Sequence, residues 1–145
     1  MTGWSPAART EDSVPRGYAI ARRDEAVDFM AEYPGYGEMR WYTEATGCEQ
    51  VAFSWRSMPP GTGGRGSYGH RHPGFEEVYF VVSGRPTFKV GDDVFESDPR
   101  TAIRMTGEVP YSVHNDTDSD VELLIFNART GGEPPTDQAD DFWPD

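Results

Sequence analysis

The chain has 145 residues, the size of one ordinary domain, and a fold of that length buries about 70% of the surface its unfolded chain exposes. With 13 Lys and Arg against 25 Asp and Glu its net charge is −12, a field that repels polyanions and anionic membrane surfaces, so neither nucleic acid nor membrane is an expected partner. One cysteine, Cys48, excludes an internal disulfide, no run approaches the roughly 18 apolar residues of a membrane span, and the N-terminal stretch lacks an export pattern; a cytoplasmic protein is expected.

Residues 1–18 carry Gly3, Pro6, Pro15 and Gly17 without periodicity and read as an extended arm. In 24–33, Ala26, Val27, Met30 and Ala31 fall at helical spacing, with Asp24 and Glu25 at the end the helix dipole favours. One short N-terminal helix is predicted there, stopped by Pro34-Gly35. From residue 39 the pattern turns to short β-type runs: 39–43, 49–58, 68–72, 78–83, 86–90, 94–96, 101–104, 110–115 and 121–127. Within 49–58, Val51, Phe53 and Trp55 alternate with Ala52, Ser54 and Arg56, and Cys48 beside them reads as a small strand residue. Pro59-Pro60-Gly61 breaks the chain sharply, while Gly84-Arg85 and Gly91-Asp92-Asp93 have lengths suited to hairpins. Nine strands with tight turns and one helix make an all-β sandwich or barrel. The acidic tail 128–145 is linker-like at Gly131-Gly132 but ends in Phe142-Trp143, an aromatic pair expected to dock on its own barrel or on a partner subunit. The whole of 1–145 is read as a single domain, with an arm and helix over 1–38, a barrel over 39–127 and the tail over 128–145.

Two of the three histidines, His70 and His72, are separated by one residue on a predicted strand. Positions i and i+2 of a strand point the same way, about 6–7 Å apart, so two imidazoles there can converge on one ion. Glu77 opens the next strand, where it shares a face with Tyr79 and Val81 while Val78, Phe80 and Val82 share the other. A carboxylate on an inward face needs a partner, and a metal ion is one. Two imidazoles and a carboxylate suit Fe(II), Mn(II), Zn(II), Co(II) or Ni(II) without choosing among them.

Gly64, five residues, His70-Arg71-His72, four residues, Glu77, six residues and Gly84 closely resemble the first motif of the cupin superfamily, and the segment Glu76-Glu77-Val78-Tyr79-Phe80-Val81-Val82-Ser83-Gly84 is similar to the family's strand with its terminal glycine turn. The resemblance covers about residues 47–127 and extends loosely over the whole chain, whose acidic, aromatic end is also like that of small single-domain bacterial cupins. It implies a double-stranded β-helix, or jelly-roll barrel, closed around a metal site. His70, His72 and Glu77 are carried over as ligands of one divalent ion, with adjacent Glu76 ranked second because it should face outward.

The second cupin motif supplies a further histidine just after a proline and an asparagine four positions on. Here Pro110 and Asn115 anchor that stretch and place Tyr111 at the fourth-ligand position, a departure from the family pattern. His114 is a weaker substitute, since three residues along a strand puts it on the opposite face from Tyr111. A phenol ligates only if the ion depresses its pKa from near 10, whereas donating a hydrogen bond needs no such shift. Tyr111 is therefore expected as a hydrogen-bond donor beside the ion or as the group that moves a proton, with a more open three-ligand site, ligation by Tyr111 and loss of the metal as the other consequences of the departure.

The function expected is a small metal-dependent enzyme acting on a small organic molecule in the barrel, of dioxygenase, isomerase or cyclase, or decarboxylase type, with Phe53, Trp55, Tyr79 and Phe88 as candidate apolar walls. The alternative is a non-catalytic module that binds a small ligand or a metal. A homodimer is expected through the outward set Val78, Phe80 and Val82, with coverage by the chain's own N-terminal arm as the competing account.

Overall fold

A computed structural model describes residues 17–129 and 134–145; the arm before Gly17 lies outside the described residues. Every one of the nine expected strands forms. A two-residue strand β1 (Val27–Asp28) and β2 (Glu38–Trp41) precede a short helix α1 (Tyr42–Thr46); β3 (Val51–Met58), β4 (Ser67–Arg71), β5 (Glu77–Ser83), β6 (Thr87–Val90), β7 (Asp93–Glu96), β8 (Ala102–Met105), β9 (Tyr111–His114) and β10 (Val121–Ala128) follow, and β11 (Asp137–Trp143) ends the chain.

The strands form two antiparallel sheets, in the orders β1-β2-β3-β10-β5-β8 and β11-β4-β9-β6-β7. They lie as the two leaves of a jelly roll. No ladder joins the leaves among the described residues, so the wall is a pair of sheets and not the continuous closed cylinder expected. Between them lies a core that includes Met58, Val81, Phe88, Val121 and Leu123, all without solvent exposure. Along β5 the buried set is Glu77, Tyr79 and Val81, as alternation requires, while Val78, Phe80 and Val82 point outward.

The helix predicted over 24–33 does not form there. Arg23–Glu25 make a single 3-10 turn, after which β1 pairs with β2. The Asp28 carboxylate explains the difference, because its Oδ1 accepts both Met30 N–H and Met39 N–H at 2.9 Å. An Asp side chain that captures local amides offers the backbone an alternative to helix. Among the described residues the one α-helix is instead α1, closed by Gly47 in the left-handed conformation at φ 73°. It cuts the first predicted long strand short at Trp41 and leaves Cys48 in the turn beyond it.

The acidic tail is a sheet strand. β11 pairs with β4 through Asp137↔Arg71, Gln138↔His70 and Ala139↔Gly69, bulges, and resumes at Trp143↔Ser67. Trp143 is buried, its ring against the His114 ring and beneath the Arg65 guanidinium at 4.8 Å. Lys89 reaches over the Phe142 ring. Gly69 makes this close approach possible: a Cβ there would sit 2.4 Å from Phe142 Cδ2. Asp137, Asp140 and Asp141 of the acidic tail are thus carried by a strand that covers the β4 edge.

Candidate metal centre

The site forms where β4, β5, β9 and β10 bring their inward residues to one place. His70 lies on β4 and His72 just past its end, with ring centroids 5.0 Å apart. The chain then turns through Pro73-Gly74, with Phe75 N–H donating to the His72 carbonyl, and delivers Glu77 as the first residue of β5. Gly107 braces that turn from behind at φ 85°, where an added Cβ would meet the His72 carbonyl oxygen at 2.4 Å, so no larger residue fits without moving His72.

Donor atoms of His70, His72 and Glu77 all lie within 4.8 Å of one another, and His72 Nε2 stands 4.0 Å from Glu77 Oε2. Their chemistry fits a divalent ion. His72 Nδ1 sits 3.1 Å from the Pro135 carbonyl, which can only accept, so Nδ1 is the donor there and Nε2 is the nitrogen turned toward Glu77. Thr136 Oγ1 stands at the same nitrogen, also 3.1 Å away. Burial, then the neighbouring His72 and Arg56, push the His70 pKa down to about 4, which keeps that imidazole neutral and able to ligate at neutral pH. Glu77 is 7% exposed and both its oxygens are held, Oε1 by the Tyr111 hydroxyl at 2.6 Å and Oε2 by Asn127 Nδ2 at 3.3 Å.

Tyr111 faces His70 across the β4–β9 ladder, ring to ring at 4.9 Å, and donates its proton to Glu77. Burial, reinforced by Tyr79 and Glu77, raises its pKa far above the usual phenol value, so this hydroxyl stays protonated and acts as a donor. His114 lies apart from the group, its Nδ1 accepting Arg65 N–H at 3.2 Å and its ring against Trp143, because the i+3 position turns it to the other side of β9. Glu76 faces outward, 3.6 Å from Arg104 Nη1.

A cavity of ≈ 280 Å³ opens beside the three residues, between the leaves, with Pro134 and Thr136 of the returning tail at its edge. Of the four aromatic residues expected as walls, Tyr79 and Phe53 line it. Phe88 belongs to the core, and Trp55 faces outward, donating from Nε1 to Glu122 at 3.3 Å. The side of β3 turned inward is the small and charged one, Ala52, Ser54 and Arg56, joined by Trp41 and Met39 from β2. Arg56, Trp41, Asn127 and Thr136 are site residues that sequence reasoning passed over. The available signal was Arg56, a charge in the small-residue half of the β3 alternation.

Residues 54–127, half of the chain, match the family model described as a cupin domain. The chain belongs to the cupin family. Among solved structures this cupin is similar to the polyketide cyclase RemF from Streptomyces resistomycificus, at 17% identity and TM-score 0.65 over 85% of this chain and 84% of that one. It is also similar to a conserved double-stranded β-helix protein from Klebsiella pneumoniae, at 16% identity and TM-score 0.63, covering 83% and 96% of the two chains. A third is a cupin-superfamily sugar phosphate isomerase from Silicibacter pomeroyi, at 17% identity and TM-score 0.61, covering 77% and 76%. At these identities the likeness is one of fold. No curated protein matches the chain. Among the described residues of this cupin, no helix is long and apolar enough to cross a membrane.

Proposed function

We propose that this cupin is a metal-dependent enzyme acting on a small organic molecule held between its two sheets, with His70, His72 and Glu77 as the ligands of one divalent ion. The observation that carries this reading is the convergence of two imidazoles and a hydrogen-bonded carboxylate on the wall of a cavity. A bound divalent ion supplies Lewis acidity to a coordinated oxygen, or the site of dioxygen chemistry. The chain's own residues do the rest: Tyr111 and Asn127 hold the Glu77 carboxylate, and the Pro135 carbonyl sets the His72 tautomer. Tyr111 is thus a positioning residue, its proton directed at Glu77. Dioxygenase, isomerase or cyclase, and decarboxylase chemistry all suit such a centre.

That same commitment of the Tyr111 proton favours a second reading, a cupin that binds its ligand without turning it over, because it removes the phenol as a free acid or base. Metal content decides the first step. Protein as purified is expected to carry about one equivalent of a divalent metal by elemental analysis, and a His70→Ala, His72→Ala variant to carry almost none. Equal, near-zero metal in both would remove the site. Product formation from candidate ligands by the metal-loaded protein then separates enzyme from binding module.

The reading also places the chain in the cytoplasm, on its lone cysteine, and pairs it as a homodimer through the outward side of β5, where Val78 and Phe80 are half-buried and Val82 is exposed. Light scattering is expected to return the mass of two chains, and the mass of one would sink the pairing.

A further inference from the structure

Arg56 is a largely shielded cation with no ion pair among the described residues. It points from β3 into the cavity, its Nε is shielded from solvent, and that atom has no hydrogen-bond partner among the described residues. No carboxylate among the described residues acts on the guanidinium electrostatically. Among the described residues the one carboxylate in the cavity wall is Glu77, whose two oxygens are engaged by Tyr111 and Asn127. An arginine does not shed its proton to escape such a place, so its charge remains and the local cost is carried by the fold.

A second donor points the same way. Trp41 Nε1 is likewise buried and unpartnered among the described residues, and it lines the same cavity. In the β2–β3 ladder Trp41 stands opposite Ser54 and Met39 opposite Arg56, so Trp41 and Arg56 are diagonal neighbours on one face, about 7–8 Å apart at the backbone. Native proteins seldom leave buried N–H groups without acceptors, and two in one cavity mark a place where an acceptor binds. Apolar surface in the wall comes from Met39, Ile125 and the rings of Phe53 and Tyr79, with the hydroxyls of Thr43, Ser54 and Thr136 among them.

We infer that Arg56 and Trp41 form an anion subsite, and that the molecule this cupin takes is a small organic acid whose carboxylate sits on the Arg56 guanidinium while its apolar body fills the cavity beside the metal centre. The inference deepens the proposed function and rests on it for the choice of cavity. A carboxylate matches both the fork of the guanidinium and its single charge. The Trp41 N–H supplies a further donor to the same group, or to an adjacent oxygen of the molecule. The two sides of the cavity then divide the work: the metal side meets the reacting atoms, and the Arg56 side selects acids over neutral molecules of the same shape.

The test uses benzoate and benzamide, which differ chiefly in charge, titrated against the full chain by calorimetry with and without a chelator. Wild-type protein is expected to bind benzoate at least about tenfold more tightly than benzamide, and Arg56→Met to lose that preference while keeping a melting temperature equal to or above the wild type, since it removes a largely shielded charge with no ion pair among the described residues. The preference should persist in chelated protein, because Arg56 is not among the proposed ligands. That arm separates the two readings: absence of metal from the purified protein would defeat the metal centre and leave the anion subsite standing. Equal affinity for the two probes in wild type, a preference retained in Arg56→Met, or no benzoate binding up to about 10 mM would each overturn the subsite.

Discussion

Leu123→Ala is expected to lower the stability of the fold by about 3 kcal/mol, within the range of about 2–5 kcal/mol for truncating a large buried aliphatic side chain. Leu123 has no solvent exposure and belongs to the core cluster between the leaves. It lies on β10, the strand flanked by β3 and β5, paired with Arg56 on one side and Val81 on the other. A cavity there cannot be closed by one strand moving, because both neighbours are held in register by their own ladders. For a domain of this size the loss corresponds to about 6–12 °C in melting temperature. The neighbour Leu124 faces the other way and is only half-buried, so Leu124→Ala should cost distinctly less. Thermal unfolding of both variants checks the pair, and equal losses would mean that the inward face of β10 has been assigned to the wrong residues.

Tyr111→Phe is expected to weaken divalent-metal binding about 10- to 100-fold, the usual consequence of removing a group that orients a ligand. The phenol ring is almost wholly buried between His70 and Tyr79, and phenylalanine keeps that packing. What it removes is the 2.6 Å hydrogen bond to Glu77 Oε1, leaving the carboxylate with Asn127 at 3.3 Å. Competition against a chromophoric chelator measures the effect, with the melting temperature of the metal-free protein as the control for folding. Unchanged affinity would show that Glu77 holds its place without Tyr111. Tyr111→His provides the complementary result: an imidazole at this position is expected to raise affinity, as a fourth donor facing His70.

Much of the site was legible before any coordinates. The His70-x-His72 spacing on a strand, and Glu77 at the head of an alternating strand, place three donors on inward faces by the two-residue period alone. The same period sets His114 apart from Tyr111, and the structure has it under Trp143. Tyr111 itself was visible as a departure at the second-motif position. Its partner was not, since the bond to Glu77 joins residues 34 positions apart and depends on how the two leaves face each other.

Local pattern failed where a non-local contact outweighed it. Helical spacing in 24–33 lost to the Asp28 carboxylate bridging to Met39, eleven residues on. Phe142-Trp143 dock on the chain's own barrel as expected, but that 137–143 does so as a strand is decided by the β4 edge, while the linker-like Gly131-Gly132 lie outside the described residues. Alternation along β3 separated Val51, Phe53 and Trp55 from Ala52, Ser54 and Arg56, and apolar character pointed to the first set as cavity wall. The structure turns the second set inward, with Phe53 alone of the first reaching the cavity and Trp55 meeting Glu122 on the outside. A period of two tells which side chains share a face, never which face is covered. The strands, the turns between them and the three convergent donors therefore follow from the sequence by itself, because each rests on spacing within a few residues. That Glu77 is held by Tyr111, that His72 is oriented by Pro135, and that Arg56 and Trp41 meet in one cavity with no acceptor among the described residues were decided only when distant strands were brought into register.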